Sequence, residues 1–308
     1  MTMCMSDMCN EDDQTKSCAA SAAYAYRCGL LGASFGQPDH CIMCSATNGD
    51  QFNAGSRSVE TEVNGIDLVM VVEEGRCMGR SGISKAMKKM FKKLLAGLSE
   101  TRMRNTQYTL VGYGGTGANM APHTYTMRNR LATTNRKNDL VKALRKLSLS
   151  AEEREVDPLA AISYASQLPF RAGAKPVIVI LSCDQCSSNS QVSYSNVEWQ
   201  LRQQGITLHH VTQNTIVGAR KSIFGFDSEN AYMRHNRPES FSIVKPNKHD
   251  ACVPLATSTG GSVWDATFLA NLDFAAKFGN YIGTKNTRVT QSCKCQLNAA
   301  GMATAVCT

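Results

Sequence analysis

The chain has 308 residues, 43% of them hydrophobic and 19% charged, which excludes wholesale disorder and allows one large domain with added modules, or two domains. Its net charge of +8 favours anionic partners in general: anionic lipid, sulfated glycan or nucleic acid. No apolar run reaches the ~18 residues that a membrane span needs, and the polar, acidic start MTMCMSDMCNEDDQTKSC has no signal-peptide pattern.

In chain order, residues 1–56 are small, polar and cysteine-dense, with a helical island at CAASAAYAYRCGLLGA and a linker-like run SATNGDQFNAGSRS. From Val63 the character changes. GIDLVMVVEE is a continuous apolar run, the pattern of a strand covered on both faces. SGISKAMKKMFKKLLAGLSE follows with helical spacing: Ile83, Met87, Met90, Phe91, Leu94 and Leu98 form one stripe, and Lys85, Lys88, Lys89, Lys92 and Lys93 lie off it. That lysine face is a candidate contact for an anionic surface. QYTLVGYG is a second strand, LVKALRKL and DPLAAISYASQL are helices, and KPVIVILSC is another buried strand. Ser195 with Glu198 three residues on predicts a capping box at the start of SNVEWQLRQQG. ITLHHVTQN reads as a strand, and DACVPLATSTGG with SVW as a last helix and strand. YMRHNRPESFSIVKPNKHD reads as an exposed insertion. Strands alternating with helices predict an α/β fold with a doubly wound, mostly parallel sheet, preceded by a small disulfide-rich module.

The thirteen cysteines are unevenly spread. Cys4, Cys9, Cys18, Cys28, Cys41 and Cys44 crowd the head; Cys77, Cys183 and Cys186 are scattered through the middle; Cys252, Cys293, Cys295 and Cys307 lie near the end. All are candidates for structural disulfides, which predicts an oxidising, extracellular setting and leaves one thiol over. Zinc at His40, Cys41 and Cys44 would need a second cysteine pair at regular spacing. Cys183-Asp-Gln-Cys186 has redox spacing, but SSNSQVSY separates it from the next helix start, where a dipole would activate a thiolate. GYGGTG matches a dinucleotide loop, but ANMAPHTYT after it has no helical period. His209 and His210 point to opposite faces of a strand, so they are poor co-ligands, and no Ser/His/Asp or paired-carboxylate set stands in a catalytic context.

IDLVMVVEEGRCM with its amphipathic helix, QYTLVGYG, KPVIVILS, ITLHHV and CVPLATSTGGSVW together resemble a von Willebrand factor type A domain over residues 62–285. The head, CNEDDQTKSCAASAAYAYRC with CIMC, resembles a C8-like cysteine-rich module, and residues 286–308 form a Cys-containing tail. Head, domain and tail in this order resemble the C-terminal region of secreted large lipid transfer proteins, the apolipophorin-like lipoproteins. That implies a fragment of a longer secreted chain whose signal peptide lies upstream.

The type A resemblance implies a divalent-cation site: an Asp-x-Ser-x-Ser motif after the first strand, a Thr from a second loop and an Asp after the fourth strand. These positions fall on Glu73-Glu74-Gly75-Arg76-Cys77, on AEEREVDPLAA and on Cys183, with Asp184 displaced by one. Gly75 offers no side-chain oxygen and Cys77 only soft sulfur, so the adhesion site is expected to be degenerate and no Ca²⁺ or Mg²⁺ cofactor is expected. The residual ligand candidates are Glu73, Glu74, Asp157 and Asp184. Because the family's first and fourth strands are neighbours about 4.8 Å apart, the resemblance also implies a disulfide from Cys77 to Cys183 or Cys186 in place of the cation. The expected function is a non-catalytic extracellular interaction module of a lipid-carrying lipoprotein. It would meet an extracellular protein or receptor, the rest of its own chain and anionic lipid headgroups, but no nucleic acid. Two alternatives stay open: an adhesion or matrix protein acting through a residual cation, and a thiol-disulfide oxidoreductase through Cys183 and Cys186.

Overall fold

A computed structural model describes residues 18, 21–23, 41–45, 51–53, 55–63, 65–75, 78, 83–101, 103, 105–127, 131–147, 156–183, 186, 192–212, 223–233, 239–240, 250–266, 272–297 and 303–307. The chain divides into two units, residues 1–62 with 288–308, and residues 63–287. In chain order the elements begin with the strands β1 (Met43–Ser45), β2 (Gln51–Asn53) and β3 (Gly55–Glu62). The α/β unit follows with β4 (Ile66–Glu73), α1 (Ile83–Ser99), β5 (Gln107–Tyr113), β6 (His123–Thr124), β7 (Thr133–Thr134), α2 (Lys137–Ala143), α3 (Pro158–Ser166) and β8 (Lys175–Ser182). It continues through α4 (Tyr194–Gln203), β9 (Thr207–Thr212), β10 (Ile223–Asp227), β11 (Asn230–Met233), β12 (Glu239–Ser240), α5 (Cys252–Ser258), β13 (Ser262–Asp265) and α6 (Leu272–Lys285). β14 (Arg288–Leu297) and β15 (Ala303–Cys307) close the chain.

The central sheet runs β12-β11-β10-β13-β9-β8-β4-β5-β6, with β7 also on β5. β4 is parallel to both β5 and β8, β8 to β9, and β9 to β13; β10 to β12 and the short β6 and β7 are antiparallel. The fold class is therefore α/β, a doubly wound and mostly parallel sheet. Chain order reverses between β4 and β8, which makes the carboxyl ends of these two strands the topological switch point.

Every residue of β4 is buried, because alternate side chains enter two separate layers. Ile66, Leu68, Met70 and Val72 meet the α1 stripe of Met87, Met90, Phe91, Leu94 and Leu98, with Phe278 and Ile282 of α6. Val69 and Val71 meet Leu159 and Ile162 of α3, Val197 and Leu201 of α4, and Leu255 of α5. The helices α1 and α6 pack backbone against backbone: a methyl on Gly97 would strike the Ala276 carbonyl, and one on Gly279 the Leu94 carbonyl. At the amino end of the sheet, Asp67 accepts from the Arg171 backbone N–H (2.6 Å) and Nε (2.7 Å), and Arg171 donates onward to the Asn105 carbonyl at 2.8 Å.

The structure corrects several readings. The linker-like run contains β2 and the first half of β3, and β3 pairs antiparallel with β14 from Gly55↔Cys295 to Glu62↔Arg288. The tail is thus the partner of the head strand, in a sheet of order β15-β14-β3. The cap of α4 is Ser193, whose Oγ accepts the Asn196 N–H at 3.4 Å. Glu198 lies too far into that helix to reach back to a cap and pairs with Arg202 at 3.0 Å. The antiparallel hairpin β10–β11 is an addition to the elements that the sequence pattern predicts. GYGGTG is a strand-end turn with Gly114 at φ +74° and Gly117 at +58°, a conformation that suits glycine. Among the described residues no helix is long and apolar enough to cross a membrane.

Candidate functional site

The switch point is built from the last residues of β4, the first residues after β8 and the turn after β5. Glu73 ends β4 fully buried. Its Oε2 accepts the Cys183 backbone N–H at 2.9 Å, and its Oε1 lies 3.2 Å from the Cys183 sulfur. Cys183 is itself in a disulfide. Glu74, next in sequence, goes to the opposite side of the strand, as the pleat requires, and is also fully buried. Tyr125 Oη donates to Glu74 Oε1 at 2.5 Å, and His123 Nε2 lies 3.4 Å from Oε2. Gly112 makes the space: a Cβ there would come within 2.5 Å of Glu74 Oε2 and 2.7 Å of Tyr125. Over the same edge sits Val156, whose methyl would collide with any side chain on Gly114.

Asp157 is the N-cap of α3, and its Oδ1 accepts the Ala160 N–H at 2.9 Å. Asp184 and Cys77 lie outside the described residues, as do Cys4, Cys9 and Cys28. Of the expected residual set, then, Glu73 and Glu74 end on opposite sides of the strand with different partners, and Asp157 serves as a helix cap. Tyr125, His123 and Gly112 complete the Glu74 pocket; nothing in their spacing marked them, because the pairing of β6 with β5 that delivers them is itself only two residues long.

A second cluster lies beside the first. Cys186 and Cys252 form a disulfide, so Cys186 is not the partner of Cys77, and the Cys183-x-x-Cys186 pair does not close on itself. The oxidoreductase alternative needed that internal pair. Asp250 Oδ1 accepts the backbone N–H of Cys252 at 3.1 Å and of Cys186 at 3.4 Å, holding both cysteine loops. Among the described residues, Cys186, His210 and Asp250 are the one trio whose donor atoms come within 4.8 Å of one another. Its sulfur is in the disulfide, whereas a metal ligand must be a thiolate. His210 Nε2 and Ser182 Oγ share a hydrogen bond of 2.9 Å, and burial pushes the imidazole pKa down, partly offset by Asp250.

In the other unit, Cys18 bonds Cys41 and Cys44 bonds Cys295. Both members of the CIMC pair are therefore disulfide cysteines and not zinc thiolates. Cys293 is also in a disulfide, and it stands opposite Cys307 in the β14–β15 register. The lysine face lies elsewhere. Lys89, Lys92 and Lys93 are exposed on α1, while the side chains of Lys85 and Lys88 lie outside the described residues.

No protein-family model matches the chain, and no curated protein does. Among solved structures, one similar to it is a von Willebrand factor type A protein from Catenulispora acidiphila, at 12% identity and TM-score 0.47, covering 75% of this chain and 47% of that one. A second is the proximal thread matrix protein 1 of the mussel byssus with a zinc-occupied MIDAS motif, at 16% identity and TM-score 0.40, covering 50% and 38%. A third is BatB from Bacteroides thetaiotaomicron, at 10% identity and TM-score 0.42, covering 69% and 98%. The chain spans less than half the length of the first two.

Proposed function

We propose that residues 63–287 form a non-catalytic extracellular interaction module of von Willebrand A type, in which covalent closure stands where the type's cation would bind. The observation that carries this reading is the state of Glu73. A hard divalent cation needs about six oxygen ligands and an open position for a partner's carboxylate. Here Glu73 is buried and receives the Cys183 amide, beside a disulfide sulfur. Gly75 contributes no oxygen, and Asp157 caps α3. This donor set does not fit the cation. Cys77 is the proposed partner of Cys183. Such a bond would close a loop of over a hundred residues, stabilising the fold by about 4–5 kcal/mol in the chain-entropy account.

The disulfides Cys18–Cys41, Cys44–Cys295 and Cys186–Cys252 support a secreted setting, since reducing compartments do not retain them. Membership of a lipid-carrying lipoprotein rests on the cysteine arrangement of head and tail alone; co-flotation of the native protein with lipid in a density gradient tests it. The main reading is tested by thermal melting with added Mg²⁺ or Ca²⁺ and by peptide mapping under non-reducing conditions. A melting temperature unmoved by either ion, with a Cys77–Cys183 peptide recovered, is the expected result. A rise of several degrees with cation, or Cys77 recovered as a free thiol, overturns it.

A further inference from the structure

We propose that the groove between α1 and α2 binds a linear sulfated glycan. The helix α1 carries five lysines and no acidic residue in its whole length, ISKAMKKMFKKLLAGLS. Spacings of three and four residues, as between Lys89, Lys92 and Lys93, place like charges side by side, which destabilises an isolated helix. Carboxylates at such spacings would relieve the repulsion, and here there are none. Nor do Lys89, Lys92, Lys93 or Lys137 pair with a carboxylate among the described residues. The charge of these lysines is thus open to an anion from outside the described residues.

These four lysines converge. They line one groove of about 360 Å³, three from α1 and Lys137 from α2, over a floor that includes Leu95, Ala96 and Val141. A neighbouring polar cleft of about 830 Å³ shares Lys137 and Asn138 with it and adds Arg136 and Lys142. The carboxylate facing that cleft is Asp139, which is buried. The result is a basic path longer than a single anion requires, with a recessed apolar strip along part of it.

The chemistry of that path separates three polyanions. A bilayer is flat, and stable attachment to it combines basic side chains with protruding apolar ones. The exposed large apolar residues described are Met43, Met120, Leu131, Trp199 and Val306, none of them on α1 or α2. A single-stranded nucleic acid is held by exposed aromatic side chains on which its bases stack; the 360 Å³ groove has none, and the aromatic lining the neighbouring cleft, Tyr108, is buried. A glycan chain presents sulfates along its edges and C–H faces between them, matching lysine rims over an apolar floor.

The test is calorimetric titration of the full chain with a heparin-derived oligosaccharide at 150 mM NaCl, and with the same oligosaccharide after chemical desulfation. Two variants are compared, each lowering the charge by two: Lys93→Gln/Lys137→Gln in the groove, and Lys277→Gln/Lys294→Gln on exposed positions that do not line it. The expected result is about a tenfold or greater loss of affinity for the groove variant, under about threefold for the other, a shallower salt dependence for the groove variant, and no binding after desulfation. Equal losses in the two variants, which would mean attraction to net charge alone, overturn the proposal. So does an absence of wild-type binding, or binding to anionic phospholipid vesicles with the same groove dependence.

Discussion

Glu73 and Glu74 show how much the pleat decides at the scale of one residue. Adjacent on a strand, they part to opposite sides, one to the Cys183 amide and the other to Tyr125 and His123. The same parity separates His209 and His210. His209 shares a 2.8 Å hydrogen bond with Ser262 and packs edge-on to Phe278 and Tyr281, while His210 faces Ser182 and Asp250. Both are fully buried. Burial pushes His209 down to about 3 from its ordinary 6.5, despite the opposing pull of Asp227, and pushes His210 down as well. Folded, each is neutral where the unfolded chain would take up a proton. For His209 the contribution is whole above pH 6.5 and is lost as pH falls from there toward about 3; His210 acts in the same direction. Linkage gives His209 a slope of about 1.4 kcal/mol per pH unit within that window. Urea unfolding across pH 7 to 4 should show stability declining with acid, and His209→Gln should flatten the decline by about one histidine's share. Asp227 adds to acid sensitivity only lower down: burial raises its carboxyl, but donors from Glu229, Tyr281, Asn230 and Tyr232 outweigh that and hold it below its ordinary range.

At the scale of elements, the pair α1–α6 is fixed by what is missing from it. Gly97 and Gly279 let the two backbones touch, and Gly283 makes room for the side chain of Thr101. Gly279→Ala should therefore destabilise the unit by about 3 kcal/mol, even though alanine favours helix, because the added methyl overpacks a rigid contact. A fall in melting temperature checks the sign; a rise would mean the helices can separate without loss. The apolar stripe of α1 was legible in the sequence because its period is helical, whereas the glycines opposite it read only as poor helix formers. β4 and β8 were legible as unbroken apolar runs. β3 was not: in GSRSVETE the single large apolar side chain is Val59, so no face of it announces a core, and its partner lies more than two hundred residues on. The site divides the same way. The position of Glu73 followed from strand order, but the Cys186–Cys252 bond could not, since spacing leaves cysteine connectivity open.

For the whole molecule, the arrangement of chain ends matters most. The α/β unit is entered and left at adjacent points: the Val63 N–H donates to the Thr287 carbonyl at 2.8 Å. Just outside, β3 and β14 run antiparallel, and Cys44–Cys295 joins the flanking segments across a separation of 251 residues. Under tension this link short-circuits the fold. A pull on the two termini reaches the disulfide first and passes through it, so residues 63–287 carry none of the load. In an optical trap the oxidised chain should show no lengthening from the α/β unit, and adding reductant should release up to roughly 900 Å of new contour, from about 3.6 Å for each of the 251 residues. Lengthening of that size without reductant would show the link absent in solution. A unit wired this way keeps its fold while force passes along the chain outside it.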